Sequence, residues 1–342
     1  MIEVGDPRQS QAVGAAGLWP QIERAASQHG GLVERSRIVR AKDAADRRDQ
    51  ARWRAGEHER ALAGYAARGR VIVADTQQQA EDGALEAAHA DRREGKRALV
   101  VVQASNKHLD ELNARGQALR AQDGLIVASA PTVPLAGRPY GLYAGDEIVL
   151  RAASVHPQLG VVRNGTRGAV LDVADDEQRA TVRLSDGRQA AWERSELDAA
   201  SARLAYVSHT FPAQGQTVDR AHVIADRLAD ANGSYVALTR AREHTHLYAS
   251  AERLDQPGDA GDGGAEQQLV RLAERLGRTE PELPSIAIPL AHERGAEREH
   301  AEQSAPAAAA EGGESGRARR RHGVAEGPRA RSVRARPRPG RG

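Results

Sequence analysis

The sequence predicts an α/β protein: a parallel sheet interrupted by a small all-β module and followed by a tail that does not fold. Three observations predict it. The apolar runs "RVIVAD" (70–75) and "RALVVVQAS" (97–105), each bounded by polar clusters, suit strands buried on both faces of a parallel sheet. Between residues 144 and 197 the pattern changes to short runs of strand propensity, "GDEIVL", "GTRGAVLDV", "RATVRL" and "RQAAWE", separated by the turn signals "RNGT" and "SDGR". Beyond Pro281 the chain is Ala, Glu, Gly, Pro and Arg, which cannot bury enough apolar surface to fold alone.

The elements follow in order. A helical stretch is expected from about Ala41 to Ala67, with Trp53, Leu62 and Tyr65 as its large apolar residues. The segment between the two apolar runs reads as a helix with a weak apolar stripe. After the second run, Leu109, Leu112 and Leu119 are spaced for one helical face. The β-rich segment is most simply an SH3-like barrel, with Asn-Gly and Asp-Gly pairs marking hairpins. Strands of the parallel sheet return at "RLAYVSHTF" (203–211), "AHVIAD" (221–226), "YVALT" (235–239) and "THLYAS" (245–250). "DQPGDAGDGG" is a linker, and "EQQLVRLAERLGR" makes one amphipathic helix through Leu269, Leu272 and Leu276.

Composition narrows the function. There is no cysteine, so a disulfide framework and a thiolate metal site are excluded. No apolar run has the length of a membrane span, and the N-terminus lacks a signal peptide's apolar core, so the default expectation is the cytoplasm. Net charge is +2, yet residues 317–342 hold ten Arg and one Glu and carry +9, which leaves −7 for the rest. Basicity belongs to the tail and to local patches. The tail reads either as a nonspecific phosphate-binding arm or as frameshifted GC-rich sequence.

Where the run "SYVALT" stops, Arg240 and Arg242 bracket one alanine. A solvated strand end and an anion site both fit; Arg suits the latter because its planar fork matches phosphate.

Four segments then resemble, in order, motifs of superfamily-1 helicases. "VGDPRQSQAVGAAGL" (4–18) resembles motif III, and "ERSR" (34–37) before "RWRAGEHERALAGYAARGRV" resembles motif IV. "FPAQGQTVDRAHVI" (211–224) resembles motif V and "YVALTRARE" motif VI. The chain is most similar to RecD-like helicases, and among them to the helicase region of conjugative relaxases of the TraA or TrwC type, over roughly residues 1–280.

The resemblance implies two RecA-like domains of the P-loop NTPase type that bind ATP and Mg²⁺ between them and move 5′ to 3′ on single-stranded DNA. Residues 1–40 would end the first domain. Residues 41–143 and 201–253 would form the second, with the SH3-like module inserted at 144–200. Residues 254–280 would be linker and helix, and 281–342 a disordered tail. Arg240 matches the arginine finger of motif VI, which stabilises charge on the transferring phosphoryl group. Arg37 is implied as a second cationic contact and Gln9 as the γ-phosphate or water sensor. Gly5, Asp6 and Gly215 complete the nucleotide contacts. Ser105, Asn106, Gln214, Thr217 and Arg242 are implied DNA contacts. The glycine of "AQGQT" suits a close backbone approach to another chain or ligand. Two positions depart from the family: Phe211 and Ile38 replace its usual His and Gln.

A phosphate-binding loop needs G-x-x-x-x-G-K-[ST]. Among the three lysines, Lys96 follows Gly95, but Ala90 and Arg97 stand where the first Gly and the Ser/Thr belong; Lys42 and Lys107 follow no glycine. The Mg²⁺-binding carboxylates belong upstream of motif III. The expectation is therefore a helicase cut within its first domain and inactive alone, with an N-terminal helicase or relaxase half as partner. The alternative is a nonenzymatic DNA-binding or docking remnant. His244 and His246 lack a third ligand nearby and are read as surface or strand-end residues, not a metal site. With Trp53, Trp192, Phe211 and the tyrosines available, strand grip is expected to rest mainly on backbone contacts.

Overall fold

Helix α1 (Trp19–Gln28) is followed by α2 (Ala44–Arg54) and α3 (His58–Ala67), two helices where one was expected over 41–67. The break falls at Gly56, whose φ of 85° is left-handed, and the Glu57 N–H closes the end of α2 on the Arg52 carbonyl. The computed structural model describes residues 6, 9, 19–31, 33, 37–127, 129–255 and 264–279. Gly5, most of the motif III segment and the tail from 280 onwards lie outside the described residues.

Strand β1 (Val71–Ala74) leads into α4 (Gln77–Arg93), which starts on a capping box between Thr76 and Gln79. After β2 (Ala98–Val102), Ser105 caps α5 (Asn106–Gln122). The β-rich segment then runs β3 (Val133–Pro134), β4 (Gly141–Leu142), β5 (Glu147–Leu150), β6 (Ser154–His156), β7 (Gly160–Val162), β8 (Arg167–Val173), β9 (Arg179–Leu184) and β10 (Gln189–Glu193). A short α6 (Arg194–Ala199) and β11 (Ala202–Leu204) close it. The chain continues through β12 (Val207–Ser208), α7 (Thr210–Ala213), β13 (Val218–Ile224), α8 (Ala231–Leu238), β14 (Ala241–Ser250), α9 (Ala251–Leu254) and α10 (Ala265–Leu276).

The main sheet has the order β1-β14-β13-β2-β12, and every pairing in it is parallel. Side chains alternate between two cores, as the period of a strand requires. Val100, Val102 and Tyr248 pack with α4 and α5; Leu99, Val101, Leu247 and Ala249 pack with α2, α3, α8 and α10. Strand β1 departs from the expectation of burial on both faces: it is a sheet edge, and Val73 is exposed. Leu272 and Leu276 of α10 are buried and Leu269 packs at their edge, as the apolar spacing predicts.

The β-rich segment forms a five-stranded antiparallel sheet, β10-β9-β8-β5-β11. "SDGR" turns the β9–β10 hairpin as expected. "RNGT" does not make a hairpin: it turns tightly between β7 and β8, but β7 pairs with β6, and β8 with β5 and β9. Ile148, Val170, Val182 and Trp192 of this sheet belong to the same apolar cluster as Leu109 and Leu112 of α5. The two sheets therefore share one core.

"YVALT" is a helix and not the expected strand. All but Asn232 of α8 is buried, so the run carries no helical period to read. The Asp230 carboxylate accepts the Gly233 N–H at 2.7 Å and starts the helix.

Candidate functional site

Arg240 follows Thr239 in the two-residue link between α8 and β14, and the end of α8 holds its guanidinium. Its Nε donates to the Val236 carbonyl at 2.6 Å, and Nη2 donates to the Thr239 hydroxyl at 2.8 Å. Gln50 of α2 donates to the Leu238 carbonyl at 3.0 Å, so several of the helix's orphan acceptors find partners. Arg40 binds from the other side: its Nε donates to Thr217 Oγ1 at 3.0 Å and its Nη1 to the Thr239 carbonyl.

A cavity of about 320 Å³ opens here, lined among others by Gln9, Arg37, Arg40, Arg54, Gly215 and Arg240. Asp6 reaches it too, held by the Arg54 guanidinium at 2.7 Å, and the Gln9 amide donates to the Asp6 carboxylate at 3.1 Å. Arg54 also lies 6.0 Å over the Tyr235 ring. No carboxylate among the described residues pairs with Arg37, Arg40 or Arg240. Burial, with Arg40 beside it, pulls the Arg240 pKa down to about 10; burial likewise lowers that of Arg40. Crowding cations away from water raises the cost of their charge, and a polyphosphate would relieve it.

A family described as an AAA domain matches residues 1–76. A conjugal transfer protein TraA of Agrobacterium fabrum is 27% identical over 275 residues, covering 79% of this chain and 23% of that protein. TraA of Rhizobium radiobacter is 28% identical over 252 residues, covering 72% and 22%. This chain is a homologue of the TraA conjugal transfer proteins. It spans less than a quarter of the length of the TraA relatives it matches. Among solved structures, Bacteroides Pif1 bound to single-stranded DNA is 14% identical with a TM-score of 0.39, covering 77% of this chain and 56% of that one. A structure of two coordinating Pif1 helicases at forked double-stranded DNA is 15% identical with the same TM-score, covering 77% and 54%.

Most of the described residues matched to the helicase motifs fall in two places. Gln9, Asp6, Arg37, Gly215 and Arg240 meet at the first cavity, together with Ile38. Gln214 lines a second cavity of about 280 Å³, where the β-rich segment meets the parallel sheet. Asn106 sits behind that wall, accepting from Arg203 Nη1 at 2.9 Å, while the Ser105 hydroxyl accepts the His108 N–H at 3.2 Å. Thr217 and Arg242 are not with them. Thr217 is bound to Arg40, and Arg242 is exposed, its carbonyl accepting the Lys42 N–H at 2.7 Å. The glycine of "AQGQT" also has a reason within the chain: its φ of 85° is left-handed, and no described protein atom lies within 4 Å of a Cβ built at Gly215.

Sequence reasoning missed Arg40, Arg54 and Tyr235. Arg40 lies three residues after Arg37, but its partners are 177 and 199 residues away. His244 and His246 both lie within β14 and not at its end, and both are half-buried; the His246 ring is 5.7 Å from that of His222 and nearly parallel to it. The metal-like group among the described residues lies elsewhere, at Glu81, His108 and Asp226. Arg115 and Arg253 already pair with its carboxylates, at 2.7 and 3.0 Å.

Proposed function

We propose that this chain is the C-terminal motor portion of a RecD-like, ATP-dependent DNA helicase of conjugal transfer, moving 5′ to 3′ on single-stranded DNA. One observation carries the reading: positions 9, 37, 215 and 240, implied independently by four motifs, line a single cationic cavity. The homology to TraA supports the same family of functions. In this reading the parallel sheet is the second RecA-like domain, drawn from 41–143 and 201–253, and the antiparallel sheet is an SH3-like insert whose last strand, β11, extends past the expected boundary at 200 to Leu204.

The residues present fit the phosphate end of ATP. Arg240 and Arg37 would meet the γ-phosphate, with Gln9 positioned to orient water and Gly215 at the wall. ATP bound with Mg²⁺ supplies the phosphoryl group whose departure drives the cycle. Arg240 is held at three of its five N–H donors and so is oriented before nucleotide arrives. Gln214, Ser105 and Asn106 would contact the strand near the second cavity, and Thr217 and Arg242, which lie apart from them, would contact it at a separate point. Thr217, bound to Arg40, links strand and nucleotide. No phosphate-binding loop is legible in residues 1–342, so in this reading the loop and the Mg²⁺ carboxylates are supplied by residues outside this sequence.

The test is single-strand-stimulated ATP hydrolysis by the chain alone and mixed with the N-terminal half of a TraA helicase region. The chain alone gives no turnover; the mixture turns over, and Arg240→Ala lowers its rate roughly 10³-fold or more. Silence in both, with DNA binding retained, would instead identify a nonenzymatic DNA-binding remnant.

A further inference from the structure

The second cavity holds an aromatic ring where a buried one would be expected. Phe211 is the chain's sole phenylalanine and stays 51% exposed. It is also the single aromatic among the exposed large apolar side chains of the described residues. Leaving a phenyl ring in water forgoes about 2 kcal/mol of burial. Its neighbours on α7, Thr210 and Ala213, are buried, and the Gln214 N–H closes on the Thr210 carbonyl at 3.1 Å. The ring is thus presented from a fixed backbone.

Around it the same cavity is lined by Arg151, Arg167 and Arg203, and none of its described lining residues is acidic. Arg203 is paired with Asp110 at 3.1 Å, and Arg167 lies 3.9 Å from Glu147. Arg151 differs. Its backbone N–H is fixed to the Ala200 carbonyl at 3.0 Å, yet its side chain has no ion-pair or hydrogen-bond partner among the described residues. Burial alone lowers its pKa, the sign of a charge without a counter-ion.

We propose that Phe211 is a stacking platform for one base of single-stranded DNA and that Arg151 takes an adjoining phosphate, so that the strand lies between the two sheets. This rests on the helicase reading above and adds a base contact to it. An aromatic face accepts any base, so the contact grips without selecting sequence.

The experiment is fluorescence anisotropy of the full chain with a labelled oligothymidylate and with an abasic oligonucleotide of equal length, across a salt series. Any binding by the arginine-rich tail would engage phosphate, which both strands carry, and would contribute equally to both. The wild type prefers the base-bearing strand by about tenfold; Phe211→Ala erases that preference and Phe211→Trp restores it. Arg151→Gln keeps the preference and lowers the slope of log K against log salt by about 0.7. A preference that survives Phe211→Ala, or a wild type that binds both strands equally, overturns the stacking role and leaves the helicase reading standing. A wild type that binds neither strand at low salt overturns both. Phe211 is at the surface, so melting temperature should match the wild type in its variants.

Discussion

Arg240 illustrates how one side chain carries two duties. It closes the end of α8 and faces the cationic cavity, so Arg240→Lys should keep charge yet lose the fork that spans Val236 and Thr239. His246 makes a pH prediction. Burial first, then His222 and His244 beside it, lower its pKa to about 4, while the unfolded imidazole titrates near 6.5. Its neutral form therefore favours the fold fully above pH 6.5, and that contribution is lost as pH falls towards 4. His209 and His244, lowered by burial, act in the same direction. His108 opposes them: burial lowers its pKa, but Glu81 raises it on balance. Thermal melts between pH 7 and 4 should show a smaller loss of Tm for His246→Asn; an unchanged pH slope would refute the assignment. Gly64 makes a steric one. A Cβ there would lie 2.2 Å from Asp49 Oδ2, and Arg52 and Arg68 pin that carboxylate. Gly64→Ala should cost about 1–3 kcal/mol in urea unfolding.

Helix α8 is the element whose identity the sequence hides. Asp230→Ala removes its N-terminal cap and should cost about 1 kcal/mol, measured by urea midpoint at unchanged m. A neutral result would mean that packing alone sets this helix. The strands β1, β2, β13 and β14 were legible because short β-rich runs between polar breaks leave few alternatives. "YVALT" has the same composition, but burial on every side erases the period that would have marked a helix. The Asp-Ala-Asn-Gly start at 230–233 was the available signal. The break at Gly56 was readable in principle from "RAGEH", whereas the pairing of β8 across to β5 was not, because register depends on distant partners. The site divides similarly. Gln9, Arg37 and Arg240 were reachable through resemblance, which carries long-range information. Arg40 was not, since its role comes from contacts with Thr217 and Thr239 that no local pattern encodes.

At the scale of the described fold, the two sheets are joined by more than a loop. Tyr206 lies between β11 and β12, and its hydroxyl donates to the buried Asp146 carboxylate at 2.5 Å. Gln117 donates to the same carboxylate at 2.7 Å. Tyr206→Phe should cost about 1–3 kcal/mol by leaving that acceptor short of a donor. Because the sheets share a core, unfolding followed by circular dichroism and by tryptophan fluorescence should still coincide in one transition; two separated midpoints would refute a common core. The segment Gln214–Gly215–Gln216 has its own consequence. Its glutamines line one cavity and its glycine the other, and the Gln216 carbonyl lies 3.4 Å from Arg240 Nη1. Three consecutive peptides thus form a shared wall between two rooms, and a ligand that moved the wall in one would be felt in the other. Free energies measured in one room then contain a share of the other's, so losses from Arg240 and Gln214 substitutions should not add.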